Sequence, residues 1–175
     1  MNNQSTCPSV AGSLEAIEQS ITLCELLDNH SYTYRATPYV QSSIGEHFRH
    51  ILDMFFALTH FAQRGIIDYD LRRRGAPVES QLSVATDELQ QVKTWLETLS
   101  SQQLDTPVTM LSEATIQTQK ICKVPSSLRR ELLFVASHTV HHLAIIKVIT
   151  KHCGIETNEQ LGYAPATATY LRGQA

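Results

Sequence analysis

Two histidines four residues apart, His138 and His142 in the run Ser137-His138-Thr139-Val140-His141-His142-Leu143, are spaced to act together on one ion or molecule. On a helix, positions i and i+4 are neighbours on one face, and Leu128, Val135, Ile145 and Ile149 fall on that face too. Both imidazoles therefore point into the protein. A buried neutral imidazole needs a hydrogen-bond partner or a cation that it can ligate, and the pair alone leaves both open. His47 and His50 are a second source of imidazole. The stripe Ile44, Ile51, Met54, Phe55, Leu58 and Phe61 contains His47, whereas His50 sits about 90° from its centre, so periodicity favours His47 as the inward ring. Helical bundles build metal sites from HxxxH on one helix and a single residue on a facing helix. Three neutral nitrogens around Zn²⁺, Ni²⁺, Fe²⁺ or Mn²⁺ leave a position for water or substrate. The HExxH of zinc proteases is absent. Asp53 is placed to accept from a nearby ring or to face water, and Glu131, two turns before His138 on its face, joins His47 as a candidate proton acceptor. The plainer reading of Glu131 is a first-turn acid favoured by the helix dipole.

The elements that must position these groups are four helices. Leu14, Ile17, Ile21, Cys24 and Leu27 predict a first helix capped by Ser13, after a loose arm through Gly12. The second begins at Ser42 or Ser43 and ends at Gly65. The third carries Leu82, Ala85, Leu89, Val92, Leu96 and Leu99, a bundle seam. The fourth starts at Pro125-Ser126-Ser127 and ends by Gly154. Between the third and fourth, Thr106–Leu111 and Thr115–Cys122 alternate like two short strands of a hairpin. The expected fold is thus all-α, a four-helix bundle over about residues 13–152 within one domain of residues 1–175.

Two remaining segments could complete a site. Arg72-Arg73-Arg74 is either a solvated run paired with Asp68 and Asp70 or an anion-binding edge. In the tail, residues 154–175, Gly162 and Pro165 favour turns instead of a fifth helix. Tyr163 and Tyr170 can pack on apolar surface or, with Arg72 and Arg74, line the pocket as a lid.

Composition narrows the function classes. A formal net charge of -3 and the lack of a basic stripe argue against nucleic acid. No signal-like leader and no uninterrupted apolar run near the ~20 residues of a span argue against membrane insertion. Four scattered cysteines without a CxxC suit reduced thiols and a cytoplasmic protein.

Gly45-Glu46-His47-Phe48-Arg49-His50-Ile51-Leu52-Asp53 together with Ser137-His138-Thr139-Val140-His141-His142 resembles the DinB/YfiT-like superfamily, whose four-helix bundle holds a divalent metal through three histidines. The resemblance maps the first ligand onto His50, against the periodicity argument, and the others onto His138 and His142, with His47 as an outer partner or substitute. It implies a metal-dependent enzyme acting on a small molecule. Members are similar to transferases of low-molecular-weight thiols, to the mycothiol-dependent isomerase and to the metal-binding domain of sulfoxide synthases. The other implied reading is a metal-binding or homodimerising protein without catalysis.

Overall fold

The computed structural model describes residues 7–174. Four helices make the frame: α1 (Pro8–Cys24), α3 (Ile44–Thr59), α5 (Leu82–Glu97) and α7 (Leu128–His152), with the short α2 (Asn29–Thr33), α4 (Phe61–Arg64) and α6 (Ser101–Leu104) in the connections. Each of α1 and α3 packs on both α5 and α7, so α1 lies diagonally across the bundle from α3, and α5 from α7, and the connections within those two pairs must cross its ends. Ile17, Phe48, Ile51, Phe55, Leu89, Leu96, Leu132, Val135, Leu143, Ile146 and Ile149 fill the shared core. α3 is fixed at its start by a capping box: the Glu46 N–H donates to Ser43 Oγ (3.2 Å) and the Ser43 N–H donates to Glu46 Oε2 (2.8 Å). Gly65, at φ 70°, closes α4 in the left-handed conformation that glycine adopts without strain.

A three-stranded sheet covers one end. β2 (Pro107–Glu113) pairs antiparallel with β3 (Ile121–Ser127), Met110 opposite Val124, and parallel with β1 (Ile67–Asp68). The hairpin between the third and fourth frame helices is therefore present, but its second strand lies further along than the alternation predicts. Residues 115–120 form the turn, and Pro125, Ser126 and Ser127 extend β3 before Ser127 caps α7. β1 is too short to show a period in the sequence.

Other expectations need correction. α1 starts at Pro8, whose missing N–H costs nothing in the first turn. Ser13 is inside it, donating to the Ser9 carbonyl oxygen (2.9 Å), and caps nothing. Of the expected loose arm, residues 1–6 lie outside the described residues. α7 is long and apolar enough by length and composition to cross a membrane, with a mean hydropathy of 1.6 over 18 residues. The polar residues among its apolar ones hid this from a search for uninterrupted runs. Its buried face packs on α1 and α3 as part of the core. The tail does form a further helix, α8 (Pro165–Arg172), because Pro165 at its first turn starts a helix as readily as it stops one.

Near the start of α3 the packing has no slack. A Cβ added to Gly45 would lie 2.1 Å from the carbonyl oxygen of Glu79 and 2.7 Å from the Tyr32 ring. Tyr32 cannot yield, since its hydroxyl donates to the Val78 carbonyl oxygen at 2.6 Å and its ring stacks on Phe48. Gly45→Ala is expected to cost about 1–3 kcal/mol or more by overpacking, read as a lower denaturation midpoint.

Candidate metal centre

α3 and α7 face each other across the bundle, and their histidines meet between them. His50 Nε2 lies 2.7 Å from His138 Nε2, which lies 3.1 Å from His142 Nε2. One ligand atom from each of the three falls within 4.8 Å of the others. Ring centroids are 4.9 Å apart for His50 and His138, and 4.6 Å for each of the other two pairs. The inward face of α7 centres on Leu132, Val135, Leu143 and Ile146, so His138 and His142 stand at its edge, half-buried, as His50 does on α3. Edge positions are what a three-ring site needs, because an imidazole at the centre of either stripe would be enclosed by leucines and isoleucines.

Three nitrogens in such proximity cannot all be donors, and in neutral rings each hydrogen bond needs one lone pair for each N–H. A single cation satisfies three lone pairs at once. The donor set, imidazole nitrogen without thiolate or carboxylate, suits borderline divalent ions of the zinc, nickel and iron kind. The residues present therefore fit a divalent metal.

His47 resolves the conflict between periodicity and family pattern, because both histidines of α3 take part. His50 reaches the Nε2 cluster, and His47 holds the far side of His142, Nδ1 to Nδ1 at 2.9 Å. With His142 Nε2 given to a metal, its proton resides on Nδ1 and is donated to His47 Nδ1, which leaves the His47 proton on Nε2. That Nε2 is buried and has no hydrogen-bond partner among the described residues, and His47 as a whole is 8% exposed. His47 is thus placed to orient a ligand, and its contact is with His142.

Burial keeps this cluster uncharged. It pushes His50 down to about 3, with the Arg72 charge the next cause, and His142 down to about 2, with His50 and His138 next. His47 and His138 are also lowered, burial first in each case. At neutral pH every ring can offer a lone pair.

The other candidates divide. Arg72 is close enough for its charge to lower His50 and His138, and its Nη1 touches Met54 Sδ at 3.6 Å, one turn beyond His50. Arg74 is exposed. Among the described residues the run does not pair with Asp68 and Asp70: Asp68 accepts from the Asp70 N–H and Asp70 from the Glu113 N–H at the end of β2, whereas Arg73 binds Asp53 and Glu88. Asp53 accordingly faces neither a ring nor water. Glu131 is 0% exposed, and its carboxylate accepts from Tyr69 (2.7 Å), Ser126 (2.5 Å) and Arg130 (2.8 Å). Two turns, about 10 Å of rise, separate it from His138, so it ties the sheet to α7 and is not brought to the cluster. The tail is elsewhere: Gly162 abuts Ala144, Tyr163 lies under Lys147, and Tyr170 is 64% exposed. Ala144 and Lys147 lie roughly opposite the histidine pair around α7. Tyr163 and Tyr170 therefore do not line this site.

The sequence reading missed Phe134, which stacks on His138 with centroids 5.9 Å apart. Its position four before His138 was the available signal. Met54, four after His50, carries the same signal.

Two outcomes are expected. His47→Phe removes the acceptor for His142 and should weaken Zn²⁺ binding by about 10–100-fold, while His47→Asn, which keeps an acceptor near the Nδ1 position, restores most of it; competition with a chromophoric chelator measures both. In metal-free protein the folded histidines resist protonation that the unfolded chain accepts, so their contribution is full above about pH 6.5 and is lost as pH falls from there toward about 3. Denaturation midpoints at pH 7.5 and 5.5 should differ, and less so in His50→Gln/His142→Gln.

The family model of the DinB superfamily matches residues 15–146. Among solved structures, a DinB-like protein from Bacillus subtilis is similar at 19% identity and a TM-score of 0.57, covering 89% of this chain and 99% of that one. A DinB-like protein from Bacillus cereus is similar at 16% identity and a TM-score of 0.58, covering 82% and 89%. YfiT from Bacillus subtilis, described as a probable metal-dependent hydrolase with an unusual four-helix bundle topology, is similar at 15% identity and a TM-score of 0.51, covering 89% and 91%. These likenesses show the fold. A curated relative, FK506-binding protein 5 of Rhizopus delemar, is 28% identical over 109 residues, 62% of this chain, and the chain spans only 28% of that relative's length. A family match that runs from within α1 to within α7, over well more than half of the residues, establishes that this chain belongs to the DinB superfamily.

Proposed function

We propose that the protein is a metal-dependent enzyme that transfers a group of a small substrate to water or to a low-molecular-weight thiol. The observation that carries this reading is the convergence of His50, His138 and His142 through Nε2, with no thiolate or carboxylate joining the cluster among the described residues. Three protein ligands would leave a bound divalent ion a position for water or substrate, as in catalytic and not structural sites. When bound, a divalent cation supplies Lewis acidity and lowers the pKa of a coordinated water or thiol.

The chain's own groups have separable tasks. His50, His138 and His142 stay neutral and hold the ion, and His47 sets the tautomer of His142. Phe134 covers one face of the His138 ring. Four thiols without a disulfide accord with the reducing cytoplasm that forms part of the proposal. YfiT's description as a metal-dependent hydrolase supports water as one acceptor.

The bundle core is built without the ion, unlike small zinc domains that unfold on chelation. Removing the metal with a chelator should abolish turnover of ester or thiol-transfer test substrates and leave helical circular dichroism intact, with activity returning on adding back Zn²⁺, Ni²⁺, Fe²⁺ or Mn²⁺. Stoichiometric metal that changes no substrate in either screen would favour a non-catalytic or dimerising role, and loss of helix on chelation would make the ion structural.

A further inference from the structure

The three consecutive arginines have different surroundings. Arg73 is fully engaged: its backbone N–H donates to Asp53 Oδ2 (3.1 Å), its Nε to Asp53 Oδ1 (2.6 Å), and its two Nη atoms to the Glu88 carboxylate (2.8 and 2.9 Å). Arg49, on α3, is likewise taken by Glu79 (2.9 Å) and Asp53 (3.5 Å). Arg74 is exposed. Arg72 is half-buried, and among the described residues its guanidinium has no carboxylate partner, its polar contact being the weak acceptor Met54 Sδ at 3.6 Å.

Its position is fixed by its neighbour. Asp53 grips Arg73 by main chain and side chain together, so the preceding residue cannot drift from α3. Met54 follows His50 by one helical turn, about 5–6 Å between side chains. A half-buried cation costs desolvation, and here the charges of Asp53 and Asp70 act on Arg72 without a direct hydrogen bond from its guanidinium, which leaves the guanidinium fork open to an anion.

We propose that Arg72 is the substrate-anion subsite of the histidine centre, taking one carboxylate of a small molecule whose reacting group lies at His50, His138 and His142. This rests on the metal-enzyme reading above. A guanidinium fork matches a carboxylate in two parallel hydrogen bonds. A phosphate ester, with nearly two charges at neutral pH, asks for a second cation beside Arg72, and there Arg49 and Arg73 are already neutralised by Asp53, Glu79 and Glu88 while Arg74 is exposed.

The test uses the whole chain loaded with Co²⁺, whose visible absorption reports coordination, titrated with 3-mercaptopropionate and with its neutral amide. The sulfur-to-cobalt band measures binding without turnover. The carboxylate should bind about tenfold or more tightly than the amide, the worth of one charge-assisted pair. Arg72→Gln should erase that preference with the cobalt spectrum of the free site unchanged, and Arg72→Lys should keep part of it. Equal binding of the two probes by the unaltered protein, or a preference that survives in Arg72→Gln, overturns the subsite. A chain that takes up no Co²⁺ overturns the metal reading, and this proposal with it, before either probe is added, so the two failures are distinguishable.

Discussion

Imidazole rings packed against imidazole rings tolerate almost no charge, and the arrangement of α3 and α7 depends on that. His47, His50, His138 and His142 lie within a few ångströms of one another in partly buried surroundings. One proton added to the cluster would meet burial and the repulsion of its neighbours together. The same neutrality that makes the cluster compact makes it a ligand set. Stability of the fold and readiness for a metal are thus one property of the site.

Around it, charge is confined to places where it is answered. Asp53 is buried one turn from His50 yet points away from the rings, balanced by Arg49 and Arg73. Glu131 is buried on α7 and answered by Arg130, Tyr69 and Ser126. Both networks join the bundle to the segments that cap it, the arginine loop in one case and the sheet in the other. Removing one partner from either would strand a buried charge, which makes them anchors of the walls of the site and not members of it.

The helices were legible because their signals are local: a serine cap at Ser43 and the four-three alternation of Leu82 to Leu96; the helix expected to run unbroken to Gly65 is instead divided at His60 into α3 and α4, a break that no proline or glycine signals. The His138 and His142 pair was legible for the same reason. Where periodicity chose His47 and the family pattern chose His50, each was half of the answer, since a hydrophobic wheel reports depth and not which nitrogen reaches which partner. Tertiary pairing was not legible. Asp53 with Arg73, Glu131 with Tyr69 and the docking of the tail against Ala144 join residues whose separation carries no period. The helix α8 was missed because a proline at a first helical turn and a proline in a turn look alike in a sequence.

The frame sets α3 against α7, the last of its four helices in the chain, and this sets an order of events in synthesis. His50 and His138 are 88 residues apart in the chain, and α7 carries two of the three ligands near the end of the frame. A nascent chain that has released α1, α3 and α5 from the ribosome already holds most of its core, but its α3 histidines have nothing opposite them. The three-ring cluster can therefore form only once the last frame helix has emerged and docked, and a chain truncated before His138 would keep just one of its three rings.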